Sequence, residues 1–213
     1  MLANRLKKVV GKVVSNSQNT FVEGKQILDA AMIANEVIDF VQKGKCGGIL
    51  CKLDMRKCMT MLTRTSLTLL LENMGFGVKW ISWIRWCIST MRFSILVNET
   101  PSGFFQNSRG LRQQDPLSPY LFVIAMEALS CLLKRAKEGG FLSGWRIRGK
   151  GKKRGEISHL LFVDDTLAFC EPLIDQMTYL SWLFMWFEAM SRLRENLEKS
   201  ILVRRVENLE ELV

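Results

Sequence analysis

Apolar residues recur along this chain at helical spacing in some stretches and at strand spacing in others. Positions 6–14 carry the helical period. Residues 26–42 carry it more strongly: Ile27, Ala30, Ile33, Ala34, Val37 and Val41 fall on one stripe, the mark of a helix with one buried face. Gly47-Gly48 breaks the pattern. The run Ile49-Leu50-Cys51-Lys52-Leu53-Asp54 then reads as a buried strand that ends on a carboxylate. Two helices are predicted over 61–74 and 79–90, separated by Gly75-Phe76-Gly77. A strand is predicted over 93–97, with Phe104-Phe105 as its neighbour. Ser118-Pro119 starts a further helix, with Ser118 as N-cap and proline at the first helical position. Leu121, Ile124, Ala128, Leu129 and Leu132 continue its apolar face, and Gly139-Gly140 ends it. The stretch from Arg146 to Glu156 (RIRGKGKKRGE) reads as an exposed basic loop. Strands over 159–163 and 167–169 flank Asp164-Asp165, and 176–192 predicts a final amphipathic helix. Helices and strands alternate without a regular βαβ beat, so the expected class is α+β.

Composition adds a direction. The chain has 213 residues, 48% hydrophobic and 24% charged, enough to bury a core and to exclude disorder as the main state. Thirty Lys+Arg against 21 Asp+Glu leave a net charge of +9. That surplus favours a polyanionic partner, nucleic acid ahead of an anionic membrane, although a solvated basic surface gives the same count. Six scattered cysteines without a C-x-x-C pair, and His159 as the single histidine, argue against a zinc site and against Ser-His-Asp or Cys-His catalysis. The thiols read as free and buried in a reducing compartment. No signal-peptide h-region is present, and the nearly apolar run 120–133 is too short to span a bilayer and contains Glu127. The expected protein is intracellular and off the membrane, with nucleus and cytoplasm not distinguished.

Phe162-Val163-Asp164-Asp165 places two carboxylates between apolar strands. An isolated pair of this kind is most simply a solvated turn. It can also hold Mg²⁺, a hard cation that takes oxygen ligands, if a second acidic strand end lies beside it. Asp54 supplies such an end, and alone it too reads as a turn or cap. If the two strands share a sheet, the carboxylates can hold two cations roughly 3.5–4 Å apart, the arrangement of nucleotidyl transfer. Between them runs Arg109-Gly110-Leu111-Arg112-Gln113-Gln114-Asp115-Pro116-Leu117-Ser118-Pro119. Arginines, a glycine and amides before a helix N-terminus suit phosphate and base contacts, and a polar loop with an ordinary cap is the plainer reading.

The order LD…RGLRQ-x-DPLSP…F-x-DD resembles reverse transcriptases of LINE-type non-LTR retrotransposons, especially those common in plant genomes. The likeness covers nearly the whole chain. It includes Asn4-Arg5-Leu6-Lys7, the stretch from Gln18 through Phe21-Val22 to Gly24-Lys25-Gln26-Ile27, Met74-Gly75-Phe76-Gly77, FSILVNETPSGFF from Phe93, Ile157-Ser158-His159-Leu160-Leu161-Phe162, and Asn196-Leu197-Glu198-Lys199-Ser200. It implies a right-hand polymerase: an antiparallel palm sheet with packed helices and part of the fingers, the thumb absent. Residues 1–48 would be partial fingers and 49–213 palm with inserted finger elements. Asp54 and Asp164 would ligate two Mg²⁺ ions, with Asp165 as a weaker or indirect catalytic contributor. Lys25, Met59, Arg109, Arg112, Gln113, Gln114 and Ser118 would line the nucleotide and template pocket, and Lys199 would assist the leaving pyrophosphate. The implied partners are an RNA template, a DNA primer and dNTP.

The departures from the family pattern carry their own chemistry. Met59 stands where an aromatic walls the incoming sugar, and methionine defines that wall poorly. Thr60 removes an acidic group. Gln114 replaces the glycine that lets backbone approach a ligand, and is expected to damage activity most. Lys25 replaces arginine and loses the bidentate fork. Arg192 and Glu195 replace a glycine and an apolar residue. Two readings follow: an RNA-directed DNA polymerase fragment, or an inactive retrotransposon remnant that at most binds nucleic acid. With no thumb expected, processive synthesis by this chain alone is not expected. An RNA-dependent RNA polymerase palm also carries paired aspartates, but the RGLRQ-x-DPLSP loop speaks against it.

Overall fold

The structure, a computed structural model, describes residues 2–43, 48–54, 62–90, 92–106, 111, 115–148, 154–162, 165–191, 193 and 201–204. In chain order these form α1 (Leu2–Val13), α2 (Ile27–Lys43), β1 (Ile49–Asp54), α3 (Arg64–Asn73), α4 (Val78–Ser89), β2 (Arg92–Val97), β3 (Thr100–Gln106), α5 (Ser118–Glu138), β4 (Trp145–Arg148), β5 (Arg154–Ile157), β6 (His159–Leu161), β7 (Asp165–Cys170), α6 (Ile174–Ser191) and β8 (Ile201–Arg204). The principal sheet has the order β6-β7-β1-β8, and each neighbouring pair is antiparallel. Antiparallel strands with helices packed on them give the α+β class that the pattern predicts.

The sheet buries both faces because its strands are apolar at nearly every position. On one face Ile49, Leu161, Ala168 and Cys170 meet Leu6 and Val10 of α1, Leu121, Ile124 and Ala125 of α5, and Leu180 and Phe187 of α6. On the other, Leu50, Leu160, Leu167 and Phe169 meet Trp145 together with Ala34 and Val37 of α2. Helix α5 is the hub of the first layer. Leu121 through Met126 are buried in succession, which a helix shows only when neighbours cover several of its sides. Gly48 has a packing reason beyond breaking the pattern: a Cβ there would overlap the Trp145 indole. That indole donates to the Cys170 carbonyl at 2.8 Å and packs on Phe169.

Several expectations change. Ser118 does not cap α5. The helix already includes it, and the cap position is Leu117, without a side-chain cap bond. Asp115 serves the helix start instead: its Oδ1 accepts from the Leu117 N–H at 2.8 Å and its carbonyl from the Ser118 N–H at 3.2 Å. The basic stretch 146–156 is not simply a loop, because β4 and β5 pair as an antiparallel ribbon. The stripe on α2 holds for Ala30, Ala34 and Val37, whereas Ile27 is exposed. Helix α6 is not amphipathic: it buries Leu180 and Phe187 and also exposes Trp182, Met185, Trp186 and Met190. Strands β2 and β3 form a separate ribbon. Asn98 and Glu99 at its tip both have positive φ, as a type I′ hairpin turn requires. No described helix is long and apolar enough to cross a membrane.

Candidate functional site

The β1–β7 register brings the predicted acidic positions together. Leu50 lies opposite Phe169, Lys52 opposite Leu167 and Asp54 opposite Asp165. The period of two puts these pairs on one face of the sheet, the face covered by α2. At its end the apolar pairs give way to Asp54 and Asp165. The Phe162 N–H donates to the Asp165 carbonyl at 2.8 Å and closes the β6–β7 hairpin; Val163 and Asp164, which join the strands, lie outside the described residues. Asp165 is held from the diagonal position on β1: Lys52 Nζ stands 3.1 Å from its Oδ2, each side chain about one-third exposed. The other oxygen, Oδ1, is buried and has no hydrogen-bond partner among the described residues. A buried carboxylate oxygen without a partner is an acceptor of the kind a hard cation takes, although no group of three or more acidic, His or Cys side chains that could hold a metal stands among the described residues.

Met59, Thr60, Arg109, Arg112, Gln113, Gln114, Arg192, Glu195 and Lys199 also lie outside the described residues. Ser118 is buried at the first turn of α5. Lys25 is placed in full. Its ammonium donates to the carbonyls of Ser15 at 3.3 Å, Asn16 at 3.1 Å and Gln18 at 2.8 Å, one for each of its three protons. Burial lowers its pKa, and the charge of Glu127 opposes that shift.

The loop that Lys25 closes rests on a polar seam that sequence reasoning missed. The Ser15 N–H donates to Glu127 Oε2 at 2.9 Å. Ser15 Oγ lies 2.8 Å from Ser130 Oγ, which lies 2.7 Å from His159 Nε2; the other ring nitrogen, Nδ1, is 2.9 Å from Ser158 Oγ. Glu127, Ser130 and His159 are all buried. Burial raises the Glu127 pKa, with the Ser15 bonds and Lys25 opposing it. Burial, helped by the Lys137 charge, lowers His159 to about 4. A serine and histidine in contact invite comparison with a nucleophile and base. Here, however, the second ring nitrogen meets a hydroxyl rather than a carboxylate, and the pair is buried, so it does not form the expected-against triad.

Residues 1–210 match the family described as reverse transcriptase (RNA-dependent DNA polymerase). The chain belongs to the reverse transcriptase family. Its relatives bear out the LINE-type likeness. It is 51% identical over 93 residues to an uncharacterized mitochondrial protein of Arabidopsis thaliana, covering 44% of this chain and 66% of that protein. It is 23% identical to the transposon TX1 149 kDa protein of Xenopus laevis, over 80% of this chain and 12% of that one. It is 25% identical to the Pol polyprotein of the type-1 retrotransposable element R2 of Nasonia vitripennis, over 80% and 15%. The reverse transcriptase chain thus spans 66% of the plant relative's length and a small part of the two transposon proteins. Among solved structures it is similar to telomerase from Candida albicans bound to a telomeric RNA fragment, with a TM-score of 0.68, 12% identity, and coverage of 96% of this chain and 35% of that one. Apo telomerase from Candida tropicalis, truncated from its C-terminal domain, gives 0.66, 15%, 97% and 41%. The fold of this reverse transcriptase is accordingly a polymerase palm, the sheet β6-β7-β1-β8 with its helices, plus part of the fingers.

One signal for the missed seam stands in the sequence. Glu127 and Ser130 are polar positions inside the nearly apolar run 120–133 of the reverse transcriptase. A buried carboxylate needs donors, and such a position predicts a partner from elsewhere in the chain.

Proposed function

We propose that this palm adds deoxynucleotides to a primer 3′-OH on an RNA template, with Asp54 and Asp164 holding two Mg²⁺ ions. The β1–β7 register, which sets Asp54 across from Asp165 beside the buried free Oδ1, is the observation that carries this reading. The ions would supply charge neutralisation at the attacking and leaving oxygens. The chain's own groups do the positioning. Lys52 fixes one oxygen of Asp165, whose other oxygen is buried without a partner among the described residues. Arg109, Arg112, Gln113 and Gln114 are the proposed nucleotide and template contacts, and Lys199 the proposed aid to the leaving pyrophosphate; Ser118, buried in the first turn of α5, is left out of that set. Lys25 would have to give up its carbonyls to meet a triphosphate.

Met59, Thr60 and Gln114 favour a second reading, in which the chain binds primer–template and catalyses nothing. Primer extension on an RNA template with Mg²⁺ separates the two. The polymerase reading expects extension with dNTP that Asp54→Asn abolishes and Gln114→Gly raises about tenfold or more, since the glycine reopens the backbone approach. No extension by either the natural chain or the Gln114→Gly variant, with RNA binding retained, establishes the second reading.

A further inference from the structure

The segment 15–25 is joined to the sheet through backbone as well as side chains. The Leu161 N–H donates to the Ser17 carbonyl at 2.9 Å, and the Asn19 N–H to the Leu161 carbonyl at 3.3 Å, so Gln18 forms a parallel bridge to the outer edge of β6. Gln18 is buried, and its Oε1 accepts from the Asn19 and Thr20 N–H groups. Phe21, in the left-handed region at φ 55°, sets its ring edge-on to Tyr120 of α5 at 6.2 Å between centroids. Ser15 reaches Glu127 and Ser130 on α5, and Ser130 reaches His159 on β6. Strand β6 is therefore gripped on its open edge by residues 17–19 and from the α5 side by Ser130. It is a three-residue strand and leads directly into the hairpin of Asp164 and Asp165.

We propose that Glu127 and Ser130 are positioning residues that lock the 15–25 segment and strand β6 to helix α5, and so fix the hairpin bearing the acidic pair. Two features support a positioning role over mere packing. The seam is polar and buried in a helix otherwise given to apolar contacts, so an apolar replacement would have served the core alone. Its partners come from three separate elements, the 15–25 segment, α5 and β6. Lys25 belongs to the same device: its ammonium folds the loop onto itself, and its charge faces that of Glu127. The catalytic consequence rests on the polymerase reading, whereas the lock itself does not.

The test uses the full chain and two readouts. In amide hydrogen exchange, Ser130→Ala is expected to speed exchange about tenfold in both 15–25 and 159–170, leaving α4 unchanged. Ser130→Thr, which keeps the hydroxyl, is expected to restore slow exchange. Glu127→Leu is expected to loosen the same two segments, and Glu127→Gln, which keeps an acceptor for the Ser15 N–H, to loosen them less. In primer extension, Ser130→Ala is expected to lower kcat about tenfold or more while KM for dNTP moves less than about twofold, because geometry rather than binding is lost. Exchange that rises around position 130 alone, or not at all, overturns the lock. Coupled exchange with unchanged kcat in an active enzyme overturns the positioning role. If the natural chain does not extend primers, the polymerase reading fails by itself and the exchange result still decides the lock; should Glu127→Leu not fold, Ser130→Ala carries the decision.

Discussion

His159 shows how much a single residue's meaning depends on its surroundings. As the single histidine it argued from sequence against several catalytic schemes, and it gave no hint that it is a buried neutral ring between two hydroxyls. In the neutral imidazole one nitrogen donates and the other accepts, and serine hydroxyls satisfy either tautomer. Protonation would place a charge in the core, beside a helix carrying Lys137. The folded pKa is depressed to about 4 from the ordinary 6.5, so the stabilising effect is complete above about 6.5 and is lost as pH falls toward 4. Compared with His159→Gln, the natural chain is expected to lose on the order of 3 kcal/mol over that window. Urea unfolding of both proteins at pH 7 and pH 4.5 measures it, and parallel pH profiles would rule out the buried neutral ring. The acidic strand ends were more open to reading: Asp54 and the Asp164-Asp165 pair stand beside apolar runs tied together by motif order, and the register sets Asp54 across from Asp165.

At the scale of elements, the helices with one-sided stripes were readable and those with unusual surroundings were not. The start of α5 is an example. Ser-Pro is a good local signal, yet the chain turns two residues earlier, and Asp115 accepts from the Leu117 N–H while Ser118 sinks into the core. Asp115→Ala is therefore expected to cost about 1 kcal/mol, and Ser118→Ala distinctly less, in chemical denaturation. The β4–β5 ribbon escaped because glycine, lysine and arginine outweigh its apolar positions in any local count. Helix α6 was expected over 176–192, but its lack of an amphipathic face was not, since apolar residues on all sides leave no contrast to read. Its outer residues touch water, so Trp186→Lys is expected to shift stability within about 0.5 kcal/mol while raising solubility, measured by thermal melts and precipitation limits.

For the whole molecule, motif order made the family legible, while the seam through Ser15, Glu127, Ser130 and His159 stayed hidden because its partners lie far apart along the chain. The net charge of +9 belongs to this scale as well. If it serves primer–template binding, affinity should fall more than about tenfold between 50 and 200 mM salt, with a log–log slope near −0.9 per phosphate neutralised. Filter binding across a salt series measures that slope, and a flat line would make the surplus mere surface charge. The strand order has a further consequence, for synthesis on the ribosome. Strand β1 ends at Asp54, but its two neighbours in the sheet, β7 and β8, begin only at Asp165 and Ile201. A nascent polypeptide must therefore carry an unpaired, apolar β1 while the residues up to β7 are being made. The sheet cannot close until β7 has been made, so its folding is slow by topology, and chaperone capture of the incomplete sheet is the expected safeguard against edge-to-edge aggregation.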